Sequence, residues 1–321
     1  MQAILAVTVP FFALVLMGYL AARRHLLPES AIPGLNAFVL YFGLPCLLFR
    51  FGMNTPVVEL LNPAVLGTWL AAAGLIVFVT VAFSLNERVG LKDAAFGALV
   101  AAFPNTGFMG VPLLVALLGA GAAGPVICIV VADLFVTTSL CIGLAQMHDA
   151  AGHGARTAVL RALRGALSNP LPWSVVAGVL FKATGLPLVG PLDVVVRMLA
   201  EASTPVALFT IGAVLWRAGQ HAHTRTPWPD FVPVALVKLL LHPLLVLAFG
   251  AALQVLGAPL SAFQLTVLVL AAALPSASNV SLLAERFNAD NGRIARIVMA
   301  STALAFLSFS TLAWLFGARP G

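Results

Sequence analysis

Uncharged apolar runs about twenty residues long recur from one end of this chain to the other. A helix of ~20 apolar residues crosses the ~30 Å hydrocarbon layer of a bilayer. Helices suit that solvent because lipid offers no partner to a free backbone N–H or C=O. Reading between polar or Pro/Gly breaks predicts ten spans, at 2–21, 32–51, 62–84, 94–118, 125–147, 170–185, 192–217, 230–256, 262–285 and 293–317. The sixth is the shortest and opens on Pro170 and Pro172.

Composition agrees with this reading. Of 321 residues, 61% are apolar and 9% charged, against roughly 25% charged in soluble domains. The mean hydropathy is +1.05. Soluble enzymes, nucleic-acid binders and disordered scaffolds are excluded. The net charge of +6 does not indicate a nucleic-acid partner, because the basic residues fall in short clusters between spans and not on one face. Cys46, Cys128 and Cys141 lie within apolar runs and show neither disulfide nor metal spacing. The first run lacks a basic start and continues into Arg23 and Arg24, so it is read as a span and not as a cleaved leader.

Twelve of the seventeen Lys and Arg residues fall in the loops that follow odd-numbered spans: Arg23, Arg24, Arg88, Lys92, Arg156, Arg161, Arg164, Arg217, Arg225, Arg286, Arg293 and Arg296. Arg50, Lys182 and Arg319 lie on the opposite side, and Arg197 and Lys238 within spans. Positive charge is retained in the cytoplasm. The expected placement is therefore a multi-pass protein of the bacterial cytoplasmic membrane with both termini outside.

The longest polar stretch, 148–169, separates 1–147 from 170–321, and these two five-span halves echo each other. Pro10 to Gly18 matches Pro170 to Gly178, and Leu44 to Phe49 matches Thr204 to Phe209, both at an offset of 160. Ala102-Phe103-Pro104-Asn105 resembles Ala273-Leu274-Pro275-Ser276 at 171, and Gly124 precedes span 5 as Gly292 precedes span 10. An odd number of spans per half forces the second half to enter from the opposite side. The predicted fold class is thus all-α, with ten transmembrane helices as two inverted five-helix repeats, an architecture of many secondary transporters.

Spans 4 and 9 carry the chemistry. Pro104-Asn105-Thr106-Gly107-Phe108-Met109-Gly110-Val111-Pro112 places two prolines and two glycines within nine residues, and Leu274-Pro275-Ser276-Ala277-Ser278-Asn279-Val280 holds a proline and small polar residues. Neither can remain a regular helix. Unwound backbone at membrane depth persists only against protein or a water-filled cavity. Half-helix N-termini attract anions, and freed carbonyls attract cations. Pro104, Asn105, Thr106, Pro275, Ser276, Ser278 and Asn279 are the candidate substrate-binding residues, with Asn105 and Asn279 the amides for a carboxylate.

These motifs resemble those of the auxin efflux carrier family. Asn36 to Phe49, Pro205 to Gly212 and Lys238 to Pro243 resemble further family segments, so the likeness covers nearly the whole chain. It implies the fold of the bile acid:sodium symporters. In that fold spans 1, 2, 6 and 7 form a scaffold and spans 3–5 and 8–10 a mobile transport domain, with the broken spans crossing. It also implies a homodimer. The short 148–169 link is unlike the long loop of the plant PIN-FORMED carriers and resembles the bacterial branch that includes malonate and malate carriers.

Ionisable residues at membrane depth are functional candidates because they are costly there. Asp133 in span 5 is read as a proton or Na⁺ site, or the partner of a base. Lys238 and His242 in span 8, one turn apart, are read as an anion attractor or counter-charge to Asp133, and as a packing residue ahead of a proton relay. Glu201, Arg197 and Asp193 step along span 7 as an internal ion-pair ladder, or as residues near the outer end of that helix, with coupling through Glu201 a minor alternative. Glu87 and Asp93 are read as cytoplasmic surface, and the loop histidines His148, His153, His221 and His223 lack metal-site company. No enzyme triad, nucleotide fingerprint or zinc motif is present.

The sequence therefore points to a secondary transporter of a small organic anion, a mono- or dicarboxylate, working by alternating access, with the membrane potential, H⁺ or Na⁺ as the open choice of driving force and no other cofactor. A cation/proton antiporter on a related fold and a non-transporting receptor remain as alternatives.

Overall fold

A computed structural model describes residues 1–56, 61–147, 170–220 and 226–318. Twelve helices account for the described residues, and no strand is found among them. They are α1 (Gln2–Arg23), α2 (Ala31–Asn54), α3 (Pro63–Ser84), α4 (Leu91–Ala102), α5 (Thr106–Leu118), α6 (Ala120–Met147), α7 (Pro170–Ala183), α8 (Gly190–Gln220), α9 (Trp228–Val255), α10 (Ala262–Ala272), α11 (Asn279–Arg286) and α12 (Asn291–Leu315).

Seven of these, α1, α2, α3, α6, α8, α9 and α12, are long and apolar enough to cross a membrane. They coincide with predicted spans 1, 2, 3, 5, 7, 8 and 10. The other three predicted spans are shorter pieces. Spans 4 and 9 are each two helices around a break, as Pro104 and Pro275 require, and span 6 is the fourteen-residue α7. The 148–169 link, with His148 and His153, lies outside the described residues, as do His221, His223, Arg225 and Arg319.

The ends of these helices follow ordinary capping chemistry. Asn62 Oδ1 accepts from the Ala64 and Val65 amides, with Pro63 at the first turn of α3. Ser261 and Gln264 cap α10 reciprocally. The carboxylate of Asp290 accepts from Arg293 N at the start of α12.

Two packed groups emerge. In one, α1 lies along α8, α7 along α2, and α8 against α2. In the other, α3 packs on α4 and α9, α4 on α6, and α9 on α10 and α12. Four glycines allow the first group its close approach. A Cβ on Gly18 would stand 1.8 Å from the Phe209 carbonyl oxygen, and one on Gly212 1.9 Å from that of Val15. A Cβ on Gly178 would stand 2.2 Å from the Phe49 oxygen, and one on Gly52 2.4 Å from that of Val175. Adding 160 to Gly18, Val15, Phe49 and Gly52 gives Gly178, Val175, Phe209 and Gly212. The α1/α8 and α2/α7 crossings therefore use corresponding residues.

The structure corrects three readings of charge. Arg293 is not a loop residue. It is 2% exposed inside the first turn of α12. Its Nε donates to Asp230 O at 2.8 Å, one terminal nitrogen to Asp93 O at 2.9 Å, and the other to Ser84 Oγ at 3.2 Å. Asp93 is likewise more than surface, because its carboxylate accepts from Asp290 N at 2.7 Å. The predicted ladder along span 7 is also replaced. Asp193 pairs with Arg50 of α2 at 2.7 Å, while Arg197 and Glu201 point outward and are exposed. A salt bridge to a neighbouring helix has displaced the i, i+4 pairing within α8.

Candidate functional site

The two breaks meet. Proline at 104 pushes Phe103 into extended backbone (φ −101°, ψ 99°), which stops α4 at Ala102. Pro275 follows α10, which ends at Ala272. The two short extended segments lie antiparallel, pairing Pro104 with Ser276. Asn105 N donates to Pro275 O at 2.8 Å, and Ala277 N to Phe103 O at 3.0 Å. Ser276 N is held at 3.2 Å by Ser301 Oγ from α12. Main-chain groups that lost their helical partners thus find each other across the two halves of the chain, as buried backbone must.

Helices restart on either side of this crossing. Asn105 O accepts from Met109 N and Gly110 N in the wide first turn of α5, and α11 begins at Asn279. Two helix N-termini therefore flank the crossing, each carrying partial positive charge. The side chains have little to do locally. Asn105 Oδ1, Ser276 Oγ and Asn279 Oδ1 are buried and have no hydrogen-bond partner. Thr106 is fully buried with its hydroxyl over Pro104 O at 3.4 Å, and Ser278 is nearly buried. Buried polar atoms are rarely left unpaired, so three on one crossing mark a place built to meet something else. No Asp, Glu, Lys, Arg or His occurs within 103–110 or 274–280.

A second cluster lies beside it. Asp133 of α6 and the pair Lys238 and His242 of α9, all fully buried, converge as the sequence suggested. Asp133 Oδ1 accepts from Trp69 Nε1 and from Thr137 Oγ1, each at 2.8 Å, and its Oδ2 is unpartnered. Lys238 Nζ donates to Ala272 O at 2.6 Å and lies 3.2 Å from His242 Nδ1. The His242 ring packs against Trp69 at 5.1 Å between centroids, and its Nε2 is unpartnered. Asp133 opens one stretch of wide π-helical turn, residues 133–137, and Lys238 lies in another, residues 237–241, a distortion common at functional sites. Glu201 belongs to neither cluster.

Trp69, Thr137 and Ser301 were missed from sequence. Trp69 is the one with a recoverable signal: a buried indole N–H needs an acceptor, and the chain has few buried acids to supply it.

Comparison with known proteins agrees with this architecture. A family model described as "Membrane transport protein" matches residues 3–314. A protein of Rhizobium meliloti (strain 1021) named "Putative malonate transporter" is 30% identical, covering 100% of this chain and 98% of its own. "Uncharacterized transporter YfdV" of Escherichia coli (strain K12) is 27% identical over 97% of this chain and 96% of its own. An "Uncharacterized transporter" of Methanothermobacter thermautotrophicus is 26% identical over 92% of each. The chain belongs to the membrane transport protein family, the auxin efflux carrier family that its motifs resemble. It is a multi-pass membrane transporter and not an enzyme.

Proposed function

We propose that this transporter carries a small organic anion, a short mono- or dicarboxylate such as malonate, bound where the two broken segments cross. The observation that carries the reading is the crossing itself: two helix N-termini, an unpartnered Ser276 hydroxyl that can donate, the amide groups of Asn105 and Asn279, and no local acid. Amide N–H groups and N-terminal dipoles stabilise a carboxylate without a full counter-charge. A site for a metal cation would be expected to supply carboxylates, and this one has none. The name of the Rhizobium relative favours malonate among the short acids.

Transport follows by alternating access. The group of α1, α2, α7 and α8 is the fixed scaffold, and the bundle of α3–α6 and α9–α12 carries the crossing past it. One feature supports this division. The matching crossings at an offset of 160 are what two inverted repeats would produce. The seam between α1 and α12 carries an open apolar groove of about 450 Å³ lined by Val15, Tyr19, Met299 and Phe306. The excess of positive charge in the loops after odd spans supports an orientation with both termini outside.

Uptake of labelled malonate into proteoliposomes tests the site. Asn105→Ala and Asn279→Ala are each expected to lower uptake at least tenfold. Their melting temperatures should stay level or rise, because removing an unpartnered buried oxygen relieves a desolvation cost. Wild-type uptake in both variants would remove the crossing as the binding site.

A further inference from the structure

Lys238 connects the two clusters. Its ammonium rests on Ala272 O at the C-terminal end of α10, three residues before Pro275. A helix C-terminus is negative, so the cation steadies the half-helix that leads into the crossing and places its charge beside it. The carboxylate that acts on Lys238 is that of Asp133, from α6. Trp69 and Thr137 hold Asp133 by one oxygen, and its other oxygen is buried without a partner. The carboxyl group is thus fixed near Lys238 with one oxygen vacant.

The neighbours leave Asp133 as the group that changes charge. His242 Nδ1 faces the ammonium and must offer it a lone pair, so the ring is neutral while Lys238 is charged. From α6 itself, Cys141 is the other titratable side chain within electrostatic reach. Trp69 from α3 does not titrate, and α5 and α10 contain no titratable residue. Two states of the cluster follow. With Asp133 ionised, Lys238 is compensated inside the bundle. With Asp133 protonated, the charge of Lys238 is free, and a carboxylate on the crossing supplies its counter-charge.

We propose that Asp133 is the coupling site of this transporter: it accepts one proton, on the vacant Oδ2, when a carboxylate anion binds at the crossing, and the two cross the membrane together. The proposal rests on the reading of the crossing as the anion site. Over Lys238, Asp133 and one bound carboxylate, the empty bundle with ionised Asp133 and the loaded bundle with protonated Asp133 are both neutral; the second carboxylate of a dianion adds one negative charge to the loaded form whether or not Asp133 is protonated. The half-loaded forms carry a net charge through low dielectric and are disfavoured there. That difference is the coupling, and by linkage each ligand raises the affinity for the other. The proton comes from the aqueous phase on the loading side and leaves Oδ2 for the opposite phase after the anion departs.

The test uses the purified full chain and malonate as probe, at pH values above the range in which malonate itself takes up a proton. Calorimetry in two buffers of different ionisation enthalpy counts protons. The wild type is expected to take up about one proton per malonate, and its affinity to fall toward tenfold per pH unit once Asp133 is ionised in the free protein. Asp133→Asn mimics the protonated form. It should bind malonate with the same affinity at every pH and take up no proton. In proteoliposomes an inward proton gradient should drive accumulation in the wild type and not in Asp133→Asn, and replacing Na⁺ by choline should change nothing. Binding without proton uptake in the wild type overturns the proposal while leaving the anion site standing, and this arm decides even where Asp133→Asn does not fold. Proton uptake that persists in Asp133→Asn, or a Na⁺ requirement, also overturns it. If no short carboxylate binds at all, the anion site falls and the coupling falls with it.

Discussion

Gly18→Val and Gly212→Val are each expected to abolish folded protein. The reason is geometric. A Cβ at Gly18 would lie 1.8 Å from Phe209 O and one at Gly212 1.9 Å from Val15 O. The obstructing atoms are backbone carbonyls in the middle of long helices, which cannot rotate aside as a side chain can. Relief requires α1 and α8 to separate along their length, forfeiting the contacts that hold the scaffold together. Helices in a bilayer associate by close van der Waals packing between small residues. Their separation is thus more damaging than ordinary overpacking, which costs about 1–3 kcal/mol. Gly52→Val and Gly178→Val should do the same at the α2/α7 crossing. Gly74→Val, where a Cβ meets nothing within 4 Å, serves as the control and should express normally. Size-exclusion yield and melting temperature in detergent read the outcome. A Gly18→Val protein that elutes and melts like the unsubstituted chain would show that the helices do not cross this closely.

These crossings show what could and could not be read in advance. Pro10, Gly18, Pro170 and Gly178 stood out as a repeated pattern, and Gly18 and Gly178 prove to be contact points at equivalent crossings. The breaks at Pro104 and Pro275 were legible because proline removes a donor wherever it stands. That the broken segments pair with each other was not, since each hydrogen bond joins residues about 170 apart. Asp133, Lys238 and His242 were legible because few ionisable residues occur at membrane depth. Trp69, Thr137 and Ser301 were hidden among the many aromatic and hydroxyl residues of apolar helices, and only tertiary structure singles them out. The ladder through Asp193, Arg197 and Glu201 failed for a related reason. Spacing along one helix reveals which residues share a face, but not which neighbour that face meets, and Arg50 was the neighbour of Asp193.

Arg293 is the second residue whose loss should be severe. Its three hydrogen bonds tie the start of α12 to the end of α3, the start of α4 and the start of α9. Asp93, Asp230 and Asp290 lie around it as counter-charges. Arg293→Ala strands two carbonyls and a buried hydroxyl beside three half-buried acids, and each buried group left unpaired costs about 1–3 kcal/mol. Arg293→Lys should recover little, because one ammonium cannot reproduce a planar fork reaching three acceptors. A cycle with Gly97 separates this contact from general damage. A Cβ on Gly97 would lie 2.6 Å from an Arg293 terminal nitrogen. Gly97→Ala should therefore destabilise the native chain by about 1–3 kcal/mol, yet be neutral or favourable beside Arg293→Ala, where the methyl enters vacated space. Melting temperatures of the two single variants and the double variant give the interaction term. Equal cost of Gly97→Ala in both backgrounds would mean that the guanidinium does not occupy the space over Gly97. The ends of α3, α4, α9 and α12 would then need a different fastening to hold together.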